Sequence, residues 1–441
     1  MEEIEEFWGR KIRASWWAAT ASLFLIVASP LWLFWNWIGL EYFGGSYLSE
    51  IAGLRRDGIL AFSFQYLPRA STKASQGYIA WLCFQATLYY FLPGPISTGQ
   101  LTPAGHLLKY KTNGLSAWTM THCLAFGAAY LGYLDLTIIA DNWEGLLVAS
   151  NVYGFVLPAL CLVKGYVAPS YVGDCKYSGS LVADYFIGVE LNPRLGELFD
   201  LKLFHNGRPG IIAWTLIDAS YAAIQFRDHG YISNSMWIVL ILHYTYVLDF
   251  FVNEDWYLRT IDMCHDHFGY YLGLGCMAAV PNIYTIQCQY LARYPVNLSH
   301  TQAAAILVLG MGGYAIFRSA NHQKDIIRSS NGQCDIWGRQ AQYMRCTYKT
   351  EDGRKHESLL LCSGWWGFSR HANYLGDLMQ AFALGLACSS TQFLPWAYTF
   401  FLSAIMINRL PRDEARCRRK YGKDWRTYCA KVRWRLLPGV Y

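Results

Sequence analysis

Ser15 to Leu40 reads SWWAATASLFLIVASPLWLFWNWIGL, an uninterrupted run without a single charged residue. A helix crosses the hydrocarbon core of a bilayer with about 20 mostly apolar residues, so this stretch is long enough. It is too long for the apolar core of a leader peptide, and the residues before it, MEEIEEFWGRKIR, are charged. The run therefore predicts a first membrane helix rather than a cleaved signal.

Similar runs recur. They lie near residues 76 to 93, 115 to 136, 143 to 164, 210 to 226, 235 to 252, 268 to 291 and 302 to 318. A last apolar stretch from Leu375 to Ile407 has room for two short passes with a break near Leu394-Pro395, giving eight to ten spans. Of the 441 residues 54% are hydrophobic and 15% charged, against about a quarter charged in a soluble domain. Mean hydropathy is only +0.14 because Tyr and Trp, 32 and 18 in number, score as polar although they suit the membrane interface. The 13 cysteines are scattered and mostly within apolar segments, as Cys83, Cys123, Cys161 and Cys388 are, which fits free buried thiols and neither a disulfide framework nor zinc.

The polar segments carry the chemistry. From Arg409 to Arg435 eleven Lys and Arg face three acids, which puts this end on the cytosolic side. The run reads as a lipid-contacting anchor or as a dinucleotide site, since Asp413, Glu414, Tyr421, Asp424, Trp425 and Tyr428 punctuate it. Lys324 and Arg328 stand at i, i+4 on one helical face. Gly310-Met311-Gly312-Gly313-Tyr314-Ala315 matches GxGxxA, but no strand precedes it, so it reads as close helix packing. Between two spans, Glu254, Asp255, Asp262, His265, Asp266 and His267 form an ionisable cluster that reads as a hydrogen-bonded network for a substrate, with no metal expected. YMRCTYKTEDGRKHESLLLC (Tyr343 to Cys362) predicts a hairpin turning at Asp352-Gly353 and lying on the membrane face. Asn297-Leu298-Ser299 forms a glycosylation triplet of a kind frequent by chance.

GVELNPR (Gly188 to Arg194) and RDEARCRRKYGKDWRTY (Arg412 to Tyr428) resemble the two signatures of the sterol reductase family, whose members reduce delta-14, delta-24(28) or delta-7 double bonds. The likeness runs from about Leu101 to Tyr441. NEDWYLRTIDMCHDHFGYYLG (Asn253 to Gly273), with Trp256-Tyr257 where delta-14 members have small or aliphatic residues, is most similar to the delta-7 branch. The resemblance implies an all-α integral membrane protein of about ten helices in the endoplasmic reticulum, or in a bacterial inner membrane. It implies a helical region with sterol-pocket elements over 1–318 and an NADPH-binding region with two membrane helices over 319–441.

Matched position by position, the implied cofactor residues are Lys324, Arg328, Leu361, Trp366, Asn373, Tyr374, Arg409, Asp413, Cys417, Lys420, Tyr421 and Tyr428. The implied partners are NADPH, a sterol entering from the bilayer, and membrane lipid, with no nucleic acid and an open oligomeric state.

A ring alkene is a poor hydride acceptor, so the reaction calls for an acid. Tyr246 and Tyr428, with Asp413 to orient, are the expected catalytic residues, and Glu254, Asp266 and His267 the expected substrate pocket. Two rival readings are an isoprenylcysteine-type methyltransferase, which shares Arg370-His371-x-x-Tyr374 but lacks GVELNPR, and a non-catalytic scaffold.

Overall fold

A computed structural model describes residues 14–350, 353–389 and 391–440. Helix α1 (Trp16–Tyr42) starts where Ser15 caps the backbone N–H of Ala18. The apolar runs that follow fold as α3 (Thr72–Phe91), α4 (Gly114–Tyr130), α5 (Trp143–Val167), α6 (Pro209–His229), α7 (Asn234–Val252) and α8 (His300–Ser329). Among the described residues α1, α5, α7 and α8 are long and apolar enough to cross a membrane. The stretch 375–407 divides as expected, into α9 (Ala372–Ala387) and α10 (Ala397–Tyr421), with a short 3-10 turn at Leu394–Trp396 between them. After α10 comes α11 (Lys423–Lys431).

Two helical expectations change. Helix α2 (Tyr47–Tyr66) was hidden by Glu50, Arg55, Arg56 and Asp57, and Gly58, at φ +72°, breaks it midway. The expected span 268–291 is helical over Tyr270–Ile283 with a π turn at Gly275–Ala279 inside it, and is broken at Tyr284-Thr285 before it resumes as Ile286–Arg293. Gly273, Gly275 and Pro281 explain this, because two residues there add no side-chain packing and one lacks an N–H.

The hairpin is present as β3 (Tyr343–Lys349) and β4 (Lys355–Leu361), paired antiparallel from Tyr343↔Leu361 to Lys349↔Lys355, while Asp352 of its expected turn lies outside the described residues. An unexpected second hairpin joins β1 (Ile96–Leu101) to β2 (Leu107–Lys111). Every described cysteine is free.

Helices α8 and α9 form the tightest pair. A Cβ on Gly376 would lie 2.5 Å from the Gly313 carbonyl oxygen and from the Phe317 nitrogen, and one on Gly313 would lie 2.7 Å from the Gly376 carbonyl oxygen. The glycine run in α8 is thus a helix-packing surface, as its position in an apolar run implied. Since α8 runs unbroken through residue 318, the two expected regions share one helix.

Candidate active site

The polar end of α10 places Arg409, Asp413, Arg416, Cys417 and Lys420 on one face, at i, i+4, i+7, i+8 and i+11. That face meets the acid-rich segment between α7 and the broken helix. An Arg409 Nη donates to Asp262 at 2.7 Å and an Arg412 Nη to Asp266 at 2.9 Å. One Arg416 Nη donates to Asp413 at 2.7 Å and the other lies 3.9 Å from Cys264 Sγ. Two clusters distinct in sequence are therefore one structure.

Lys324 and Arg328 approach the same face from the end of α8, with Lys324 Nζ 5.1 Å from the centre of the Trp366 ring. Trp366 is fixed by donating to the Ala320 carbonyl at 2.7 Å, and Leu361 packs beside it with Ile327 and Ile336. Burial alone would raise the Asp413 carboxyl, but Arg416, His371 and Lys324 outweigh it and hold Asp413 well below the usual range. Burial, then the neighbouring Arg416, pushes Lys420 down to about 7. Its ammonium sits 4.0 Å above the Tyr348 ring of β3. Lys324 and Arg416 thus stand against one acid, Asp413, and Arg328 and Lys420 add to them, an excess of cations that suits a polyanion.

Arg370 and Glu414 brace this layer from behind. Arg370 donates to Glu414 at 2.9 and 2.7 Å and to the Val432 and Arg433 carbonyls at 2.6 and 2.7 Å. Tyr421, Trp425 and Tyr428 pack with Cys346, Leu360 and Cys417 under the hairpin.

Asn373 and Tyr374 open α9, where Tyr374 stacks on His371 at 5.2 Å. Tyr246 is on α7, its ring 5.7 Å from Trp214 and 5.8 Å from Phe317. The structure therefore puts the two expected acids in different surroundings: Tyr428 in the apolar cluster beneath the hairpin, Tyr246 in the helical bundle.

The profile of the ergosterol biosynthesis ERG4/ERG24 family matches residues 51–441. The chain belongs to that family. It is 43% identical to the 7-dehydrocholesterol reductase of Xenopus laevis, covering 98% of this chain and 94% of that protein. The enzyme of the same name from Arabidopsis thaliana is 34% identical, over 95% of this chain and 96% of its own length. A delta(14)-sterol reductase of Methylotuvimicrobium alcaliphilum is 36% identical, over 95% and 94%.

The first family motif is a brace. Glu190 accepts from Lys164 at 2.9 Å and Ser170 N at 2.6 Å, and Arg194 lies 3.2 Å from Asp200 and donates to the Lys109 carbonyl at 2.7 Å. Gly188 has φ +98°, and any Cβ there would strike the Phe268 carbonyl carbon at 2.4 Å.

Of the expected substrate residues, Glu254 is closed on Arg208 at 2.6 Å and on Gly114 N at 2.8 Å. Asp266 holds Arg412, and His267 Nε2 lies 3.1 Å from the Asp174 carbonyl oxygen. None of the three lines the apolar cavity of about 550 Å³ between α3, α5 and α6, whose walls include Tyr78, Trp81, Trp143, Met277 and Pro281. The broken helix borders that cavity through Met277 and turns Cys276 toward Asn206, 3.1 Å from its Oδ1.

Sequence reading put Asp262 in the substrate network and Arg416 in the basic run without seeing that the two segments meet, and it assigned no role to Asp377, which looks like one isolated charge in an apolar run.

Proposed function

We propose that this chain reduces a sterol ring double bond with NADPH, and that the bond is the delta-7 bond of a 7-dehydrocholesterol-type sterol drawn from the bilayer. Family membership makes it an oxidoreductase of sterol biosynthesis. Relatives named 7-dehydrocholesterol reductase, at 43% and 41% identity, favour delta-7 over delta-14 at 36%. Trp256 supports the same choice. It lies edge-on to Phe317 at 6.1 Å, and Phe317 in turn contacts Tyr246, so a bulky ring narrows the space beside the acid.

The observation that carries the cofactor reading is the cationic cluster beside Asp413. Arg328 Nε, Arg409 Nε and Asn373 Oδ1 are buried there without protein partners, polar atoms that a phosphorylated dinucleotide would satisfy. Lys324, Arg328, Arg416 and Lys420 would meet phosphates, and Trp366, Asn373, Tyr374 and Tyr421 would meet rings and hydroxyls. NADPH, once bound, supplies hydride.

The proton is the protein's task. Tyr246 carries a neutral hydroxyl between Trp214 and Phe317, and these π faces favour the cation that forms when an alkene carbon takes its proton. Tyr428 serves the cofactor side. Helices α3, α4, α6 and α9 and the apolar first part of α10, up to Ile407, complete the crossings toward ten, in the endoplasmic reticulum membrane.

Purified enzyme given NADPH or NADH with delta-7, delta-14 and delta-24 sterols, with products read by mass spectrometry, tests this. Delta-7 reduction favouring NADPH is expected. Reduction of delta-14 alone would overturn the bond assignment, and equal turnover with NADH the cofactor assignment.

A further inference from the structure

A lysine with no exposed surface stands at the join between the first family motif and the acid-rich segment. Lys202 is the second residue of the short helix Leu201–Gly207, which Asp200 caps by accepting from the Leu203 N–H at 2.8 Å. Asp200 is itself held by Arg194 of the motif at 3.2 Å.

Burying an ammonium is costly unless its donors are met. Lys202 Nζ donates to the Met263 carbonyl at 2.9 Å and to the Asp266 carbonyl at 2.8 Å. Both acceptors are backbone, so the lysine fixes the course of the chain through 263–266 rather than one side chain. Met263 belongs to the short helix Ile261–Cys264, where the carbonyls at that end lack partners within the helix. Asn192 of the motif adds a longer contact to the same oxygen at 3.4 Å, and the Glu190 carbonyl accepts from the Phe268 N–H at 3.0 Å. Burial pushes Lys202 down to about 8, while Asp200, Asp266, Cys264 and Asp262 act the other way, so the ammonium form prevails near neutral pH.

The segment so held is the one that grips α10. Asp266 gives its carbonyl to Lys202 and its carboxylate to Arg412, and Asp262, next to Met263, takes Arg409 at 2.7 Å. Arg409 Nε is left buried without a protein partner. The path from Lys202 to both arginines runs through this backbone.

We propose that Lys202 is a positioning residue for the cofactor: by fixing the 263–266 backbone it sets the reach of Asp262 and Asp266, and with it the orientation of Arg409 and Arg412 at the basic end of α10. The proposal rests on the NADPH reading above. It gives the first family motif, which holds the same segment through Asn192 and Glu190, a part in cofactor binding although motif and α10 are far apart in sequence.

The test compares purified full-length Lys202→Met with wild type by calorimetric titration with NADPH in the absence of sterol, and by steady-state kinetics. Methionine fills the space and removes the donors. NADPH affinity should fall about tenfold, the worth of one charge-assisted hydrogen bond, and KM for NADPH should rise alike. At saturating NADPH, kcat and the sterol KM should stay within about twofold of wild type, because chemistry and sterol contacts are untouched. NADPH affinity within about twofold of wild type overturns the proposal, as does a fall in kcat with KM unchanged, the signature of a lysine that only holds the fold.

Charge and position are separated in a background of Asp262→Ala with Asp266→Ala. There Lys202→Met should change NADPH affinity by less than about twofold, since both grips through which it acts are gone. A full effect in that background means that Lys202 acts by charge alone and overturns the proposal. Hydrogen exchange of cofactor-free protein gives a reading without NADPH: amides of 261–268 should exchange about tenfold faster in Lys202→Met, and unchanged exchange overturns the proposal. If Lys202→Met does not fold, Lys202→Gln, neutral and one bond shorter, takes its place under the same criteria. Wild type that binds no NADPH sinks the parent reading before any substitution is made, so the two failures are distinct.

Discussion

In the C-terminal layer Glu414 closes on both Arg370 and Arg435, whereas on neighbouring α9 Asn373 Oδ1 and Gln380 Nε2 are buried without a partner. Both regions bury charge or polarity among helices. In the first, each donor has an acceptor, so the result is rigidity: Arg370 alone ties α9's approach, α10 and the Val432-Arg433 backbone together. In the second, two polar atoms are left for a ligand to satisfy. A satisfied network braces and an unsatisfied one awaits chemistry, which is why charge density alone is a poor guide to the active site.

The sharpest way to break this contrast is a pair of tyrosine variants. Tyr246→Phe should lower the single-turnover rate at saturating cofactor by about 100-fold to 10,000-fold, as for loss of a general acid. Tyr428→Phe, whose ring packs among Trp425, Cys346 and Cys417, should cost about fivefold in apparent cofactor affinity with the chemical step intact. Reversed magnitudes would move the acid to the C-terminal layer.

Next in size is the brace. Glu414→Ala leaves Arg370 buried and uncompensated and should destabilise the protein by about 3 to 5 kcal/mol, seen as a lower thermal midpoint without loss of sterol specificity in the surviving fraction. A midpoint equal to wild type would mean that the pair does not hold the layer.

The smallest expected effect is electrostatic. Lys420, pushed down to about 7 by burial and Arg416, is charged below that pH and neutral above it. Arg328, Cys264 and Cys417 also face it, and Arg328 opposes its charge as Arg416 does. A phosphate needs the charged form, so cofactor affinity should fall about tenfold between about pH 6 and about pH 8, the worth of one charge-assisted hydrogen bond. Lys420→Arg stays charged throughout and should flatten the titration. A wild-type binding curve already flat over that range would remove Lys420 from the phosphate contacts.

The sequence by itself determined the helical membrane class, the hairpin at 343–361 and the family, because apolar runs, strand alternation and two long motifs are local patterns that any reader of the chain can count. It also pointed to the basic face of α10, since residues at helical spacing are neighbours whatever surrounds them. Only the tertiary structure decided that the acids at 262 and 266 close on Arg409 and Arg412, residues separated by almost 150 positions. It alone showed Glu254 spent on Arg208, and α8 pressed onto α9 where Gly313 meets Gly376. The reason is physical: an ionisable residue's spacing says which face it occupies, but whether its charge is paired or left open depends on what another helix brings to that face.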